Sequence, residues 1–255
     1  MPSIACCFNI YNDNDALPGM LENASSFFDE IFCIHASPGG KPSTDGTMET
    51  LQKWGIKPVM ADISVGFGVI RTNLIHGCKC DWAFIMDADE RFLPVTPVMR
   101  CDGDEQYPAN PNPNLKVTVE FAHYNQGAAL RSMLDDAEGM NALVMRRRHW
   151  MDFSWKRPAQ NFSVHADWQC RCIRNVKHVG YDPNVKLHER IIDFSTGGEP
   201  AMLRQGLNPR TISYDHFHNH FKPMNGIKNA EDLETYRALD QAGTENMWLQ
   251  HQPKS

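Results

Sequence analysis

The sequence lacks any apolar run approaching the roughly 18 residues that suggest a membrane-crossing helix. No Cys-x-x-Cys pair occurs among its eight cysteines, Cys6, Cys7, Cys33, Cys78, Cys80, Cys101, Cys170 and Cys172. That removes the commonest spacing of a structural zinc site. Several of them sit inside strand-like runs and read as small, reduced, mostly buried residues of a cytoplasmic protein. No basic leader precedes the apolar residues near Met1, so the start does not read as a secretory signal. Positive charge is not in excess either: 25 Lys and Arg against 31 Asp and Glu leave a net charge of −6. Such a balance gives no general pull toward nucleic acid, although a local basic patch stays open. Internal repeats are absent. What remains is a chain of 255 residues, 42% of them hydrophobic, which suffices for one large domain with a real core.

The most informative stretch starts at Trp82. Trp82 to Met86 is a short apolar run, of strand length rather than helix length. It leads directly into Asp87-Ala88-Asp89-Glu90, three carboxylates in four positions. Carboxylates this close repel, and a cation relieves the repulsion. Hard ions such as Mg²⁺ and Mn²⁺ prefer carboxylate oxygens and often hold substrate phosphates as well. In open α/β sheets, ligands sit beyond the carboxyl ends of the strands. A solvated acidic turn after a core strand is an equally simple reading of the same residues.

Upstream, strands and helices alternate. Ile4–Ile10 reads as a strand, with Asp15 as a helix cap before Leu17, Met20 and Leu21. Ile31–Ile34 is the next strand, and Ala36 to Pro42 reads as loop. Asp45 is placed to cap a helix through Met48, Leu51 and Trp54, ahead of a strand over Lys57–Met60 and a helix over Val69–His76. This order predicts an α/β fold, a mixed but mainly parallel sheet with helices on both faces. Downstream, 94–113 is proline-rich and reads as loop. Leu115–Ala122, Ala142–Arg148, Gln169–Arg174 and Ile212–Phe221 read as strands, and Asn229–Leu239 as a helix. One domain over 1–255 is expected, with 1–93 as one half, 94–240 as the other and 241–255 as a tail.

Several blocks, in order, resemble the nucleotide-sugar half of inverting GT-A glycosyltransferases of family 2. They are Ile10-Tyr11-Asn12-Asp13, Asp29-Glu30-Ile31, Ser43-Thr44-Asp45-Gly46-Thr47, Phe67 with Arg71-Thr72-Asn73, and Asp81-Trp82 with Asp87-Ala88-Asp89-Glu90. Farther on, Gln169 to Asn175, Leu187-His188-Glu189 and Tyr214 to His218 resemble a branch that includes lipopolysaccharide-core and peptide-modifying enzymes. The likeness spans about the first 90 residues and, more loosely, 165–240. It departs at His35 to Pro42, where the family usually carries an Asp for the nucleobase.

The resemblance implies a GT-A-like, metal-dependent inverting glycosyltransferase that takes a nucleotide sugar, a UDP-sugar first, with the base left open. The acceptor would be a hydroxyl of a glycan or another molecule. Asp89 would meet Mn²⁺ or Mg²⁺ directly, and Asp87 would meet the ribose or a metal-bound water. Tyr11, Asp13 and Asp45 would hold base and ribose, and Arg71 the phosphates. His216, His218 and His220 alternate, which puts them on one face of a strand; His216 or His218 would complete the metal shell. A single displacement needs one base, and Asp167 and Glu189 are the two candidates. Trp150, Trp155 and Trp168 flank a loop of lid length and are suited to stacking on an acceptor. Each residue also has a plain reading: Arg71 as a solvated helix residue, Tyr11 and Asp13 as a capping cluster, Glu189 as a partner of Arg174 or Arg190, Asp167 as a loop carboxylate. Three other functions stay open. One is transfer to DNA or protein, suited by Arg146-Arg147-Arg148. The others are a non-catalytic nucleotide- or carbohydrate-binding module and a nucleotidyltransferase.

Overall fold

The computed structural model describes residues 1–92, 95–101, 117–123, 126–135, 137–150, 167–184, 190–204 and 217–221. Side chains are described for these except 95–101, 117–123, 126–129, 145–150, 167–168, 203–204 and 217–221. The first half runs β1 (Ile4–Ile10), α1 (Leu17–Ser25), β2 (Glu30–Ser37), α2 (Thr47–Lys53), β3 (Val59–Asp62), α3 (Phe67–Gly77), β4 (Trp82–Ile85) and β5 (Glu90–Phe92). There follow β6 (Val95–Cys101), β7 (Val117–His123), α4 (Gln126–Asp135), β8 (Ala142–Trp150) and β9 (Asp167–Arg174). The last strands are β10 (Val179–Tyr181), β11 (Ile191–Asp193), β12 (Met202–Arg204) and β13 (Phe217–Phe221).

The main sheet has the order β3-β2-β1-β4-β9-β8-β13-β5, with β12 also beside β8. Strands β1 to β4 are mutually parallel, β9 runs against β4 and β8, and β13 runs with β8. The expected mixed α/β sheet is therefore present. Strand β1 explains its centre. Six of the seven residues in Ile-Ala-Cys-Cys-Phe-Asn-Ile are buried, as in a strand covered on both faces. Its side chains part by alternation. Ile4, Cys6, Phe8 and Ile10 join one core with Leu17, Met20 and Leu21 of α1, Leu51 of α2, and Leu130 and Leu134 of α4. Ala5 and Cys7 join the other, with Ile70, Leu74 and Ile75 of α3 and Val179 and Tyr181 of β10. Helices thus cover both faces. The seven cysteines whose side chains are described are all free thiols, six of them buried.

Three boundaries differ from the sequence reading, each for a local reason. Strand β2 continues through Ala36 and Ser37, where pairing with Ala61 and Asp62 of β3 outweighs the loop signal of the following Pro38-Gly39-Gly40. Val95–Cys101, inside the proline-rich region, is a strand that pairs antiparallel with β7 despite Pro97. Such a two-stranded pair has open edges that tolerate a proline. Asp15 does not cap α1; Ala16 holds the cap position, and the Asp13 carbonyl accepts from the amides of Ala16 and Leu17 at 3.1 and 3.0 Å. The expected helix at 229–239 lies outside the described residues.

Two expected motif blocks prove to be fasteners of the sheet. The Asp29 carboxylate accepts from the Ile4 amide at 2.9 Å and makes a two-pronged pair with Arg131 of α4 at 2.9 and 3.0 Å. Asp81 accepts from the amide and hydroxyl of Ser3, both at 2.8 Å. Above them the larger core is aromatic: Phe84 lies 4.9 Å from Phe92 and 5.6 Å from Phe28, centroid to centroid. Phe84→Ala should therefore cost about 3–5 kcal/mol, and thermal unfolding should show a midpoint lowered by on the order of 10 °C.

Candidate functional site

Strand direction decides which residues meet. Because β1, β2 and β4 are parallel, their carboxyl ends share one edge of the sheet. Tyr11 and Asp13 follow β1, His35 lies near the end of β2, and Asp87 to Glu90 follow β4. Strand β9 runs the other way, so its first residue, Asp167, comes to the same edge. The register continues across: Asp167 is opposite Arg147, Arg147 is opposite His218, and His218 is opposite Phe92. The histidine-bearing strand β13 thus pairs directly with β5, the strand that starts at the last carboxylate of the acidic turn. Among the predicted residues, Glu189 and His216 lie outside the described residues. For Asp167 and His218 the strand position is what is described. Residues 151–166, with Trp155, also lie outside.

The acidic turn is closed on itself. The Glu90 amide donates to the Asp87 carbonyl at 2.9 Å, and the Asp87 amide donates to Glu90 Oε2 at 3.0 Å. Glu90 is fully buried, at 0% exposure, and Arg171 of β9 is nearly so at 2%. A single Arg171 nitrogen, Nη2, donates to Glu90 Oε1 at 2.8 Å and to Asp87 Oδ2 at 2.9 Å. Arg71, on the first turns of α3, donates to the other oxygen of Asp87 at 3.3 Å. Burial alone would depress the Arg171 guanidinium, but the charges of Asp87 and Glu90 outweigh it and hold its pKa above the ordinary value. Arg91 is a third cation. It donates to the carbonyls of Ala88 and Glu90 and, across to the start of α1, to that of Ala16, each at 2.7 Å. Burial lowers its pKa to about 10, against the opposing pull of Asp89 and Glu90. Gly19 leaves room for it, since a Cβ there would lie 3.0 Å from Arg91 Nη2.

Three carboxylates are therefore set among three guanidinium groups. The repulsion within the acidic run is already relieved by the protein's own cations. Asp87 and Asp89 remain half-buried, facing neither bulk water alone nor the core. Among the described residues no three His, Cys, Asp or Glu side chains converge into a metal cluster. Their oxygens nonetheless suit Mg²⁺ or Mn²⁺, which are commonly held by one or two carboxylates together with substrate phosphates.

A second network joins the loops after β1 and β2. Ser43 donates its amide to His35 Nε2 at 3.1 Å, with its hydroxyl 2.8 Å from the same nitrogen. That hydroxyl accepts from the Asn12 amide at 3.0 Å. The lone pair on Nε2 places the imidazole proton on Nδ1. The Tyr11 ring meets His35 edge-on at 5.8 Å. Asp45 accepts from the Asn14 amide at 2.8 Å, and from the amide and hydroxyl of Thr47 at 3.0 and 2.6 Å. It caps α2 from one residue farther out than expected, because Gly46, at φ +94°, holds the cap position. Partial burial opposes ionisation of Asp45, but these hydrogen bonds prevail and lower its pKa. Tyr11, Asp13 and Asp45 are thus gathered as one loop cluster, and Arg71 and Asp87 as another.

Sequence reasoning placed Glu90 in the acidic run but missed its burial, and it missed Arg91, Arg171 and His35 as site residues. Arg171 had a signal. It alternates with Cys170 and Cys172 and is in phase with the buried Ile173, so a charge lies on the inner face of a central strand. Such a charge is almost never left without a partner.

No protein-family model matches this sequence, and no curated protein does. Among solved structures, the chain is similar to TarS 1–349 of S. aureus in complex with UDP, at 9% identity and a TM-score of 0.46, over 97% of this chain and 68% of that one. A second structure of TarS 1–349 gives 8% identity and a TM-score of 0.46 over the same shares, 97% and 68%. A longer TarS chain gives 9% and 0.44, over 93% of this chain and 39% of that one.

Two measurements probe the networks. Glu90→Gln leaves Arg171 buried with Asp87 as its remaining anion. It should destabilise the fold by about 3 kcal/mol, the lower end for a broken buried pair, read by denaturant unfolding. Burial of His35, opposed by its own backbone and by Asp45, lowers its pKa below 6.5. The folded chain therefore prefers the neutral ring. Its stabilising contribution is complete above 6.5 and is lost as pH falls from there through the folded value. In His35→Gln that acid-side loss should be missing from the pH dependence of the melting temperature.

Proposed function

We propose that this chain is a metal-dependent, inverting glycosyltransferase that moves a sugar from a nucleotide-sugar donor to a hydroxyl acceptor. One observation carries the reading: the Asp87–Glu90 turn, flanked by Arg71 and Arg171, lies on the same sheet edge as the Tyr11 loop and beside the strand carrying His218. The motif order in the sequence adds to it.

The donor enters between the two loop clusters. Tyr11 offers a ring face and Asp13 a carboxylate to base and ribose, and Asp45 fixes the loop that carries them. Asp87 turns toward the ribose, and Arg71 toward the diphosphate. The departing diphosphate gains charge in the transition state, and preformed cations at that place stabilise it. Among the described residues, the three guanidinium groups are offset by three carboxylates. A bound diphosphate thus brings negative charge that the site itself does not offset. Asp89, with His218 or His216 as a further ligand, would hold a divalent ion, which would supply positive charge and Lewis acidity when bound. On the far side of the sugar, Asp167 or Glu189 takes the proton of the acceptor hydroxyl. Attack from that face inverts the anomeric centre. The acceptor is a glycan or another hydroxyl-bearing molecule.

The test is a thermal-shift series of nucleotide sugars, with UDP-sugars first, with and without Mn²⁺. A donor at about a hundred times its Kd should stabilise by roughly 2.7 kcal/mol. Asp89→Ala should lose the Mn²⁺-dependent part of that shift and transfer with it. An undiminished shift in the variant removes Asp89 from the metal. Consumption of a nucleoside triphosphate with pyrophosphate release, in place of diphosphate release from a nucleotide sugar, overturns the reading.

A further inference from the structure

We infer that Arg171 is a positioning residue for the donor site: through Glu90, it sets the Asp87 carboxylate in the orientation that receives the donor. The inference rests on the function proposed above. Arg171 sits on β9, the strand next to β4, so it approaches the acidic turn from behind. One guanidinium nitrogen bridges two carboxylates at 2.8 and 2.9 Å, and one of them, Glu90, is fully buried.

Glu90 in turn accepts the Asp87 amide at 3.0 Å, so the backbone and the side chain of Asp87 are fixed by the same pair. Asp87 itself is the exposed end of this chain of contacts, with 31% of its side chain accessible. The arrangement is a buried anchor with a presented carboxylate. A purely structural ion pair has no need of the half-exposed third member. Hydrogen bonds to charged groups are short and directional, so the bridge fixes both angle and position. Misplacing a binding group by about 1 Å is enough to lose on the order of 100-fold in rate.

Lysine keeps the charge, but its shorter side chain ends before the Nη2 position from which both carboxylates are reached. In Arg171→Lys, KM for the nucleotide sugar should rise about tenfold, with KM for the acceptor unchanged. Asp87→Asn alone should also raise donor KM. Added to Arg171→Lys it should change donor KM by less than twofold, because the residue it removes is already misplaced. Loss of one buried charge also weakens the fold. The paired variant Glu90→Gln with Arg171→Met takes both charges out together and serves as the folded control. It should melt near the wild type while showing the same rise in donor KM. Unchanged donor KM in Arg171→Lys and in the paired variant, or fully additive effects with Asp87→Asn, would overturn the inference and leave the proposed function standing. A wild type that binds no nucleotide sugar, by thermal shift or by turnover, overturns both.

Discussion

A guanidinium sealed in the interior is the constraint around which this edge of the sheet is built. Arg171 has almost no contact with water. Ions removed from water carry a penalty of several kcal/mol each, which only close and well-aligned partners offset. Glu90 and Asp87 are those partners. Each then needs its own support, which the turn amide and Arg71 provide. The consequence is mechanical. Strand β9 cannot shift against β4 without separating charges, so the turn beyond β4 is held from the second half of the chain. The presented carboxylate, Asp87, owes its place to a residue 84 positions away in sequence.

That separation explains what was legible in the sequence. The parallel first half was readable because its signals are local. Apolar runs such as Trp82 to Ile85 and caps such as Asp45 with Thr47 sit within a few residues of what they decide. The edge-forming loops were readable for the same reason. The acidic run was visible, yet its physics was only half visible. Repulsion among Asp87, Asp89 and Glu90 demanded cations, and a metal ion was the available guess. The chain also brings up Arg71, Arg91 and Arg171, from a helix, the next strand and a distant strand. No periodicity argument pairs residues that far apart. The one clue was a charge between Cys170 and Cys172, in phase with the buried Ile173.

Short strands were harder for a different reason. Strand β5 is three residues long and follows a turn, so it offers no period to detect. It exists because β13 pairs with it. The same holds for β10, β11 and β12, each three residues long. The extension of β2 through Ser37 is likewise a tertiary effect, since Pro38 and two glycines follow at once. Near its end stands His35, in the run where the resemblance led one to look for a carboxylate. A neutral imidazole with its lone pair committed to Ser43 holds the loop without adding charge. The surface there is aromatic and polar, with the Tyr11 ring edge-on to the imidazole and Asp45 near enough to act on its charge.

Charge counting gives the last step. Among the described residues, three acids and three arginines offset one another at the turn. On the function proposed above, a nucleoside diphosphate would change that sum. Its phosphate oxygens would come beside Arg71 and the half-buried Asp87 and Asp89. Oxygen donors and negative charge would then appear together, which is the setting that Mg²⁺ or Mn²⁺ requires. Metal and donor would each supply part of the other's site, and by linkage each would strengthen the other by the same factor. Arg171, only 2% exposed, would touch neither ligand and would keep the turn in place from within.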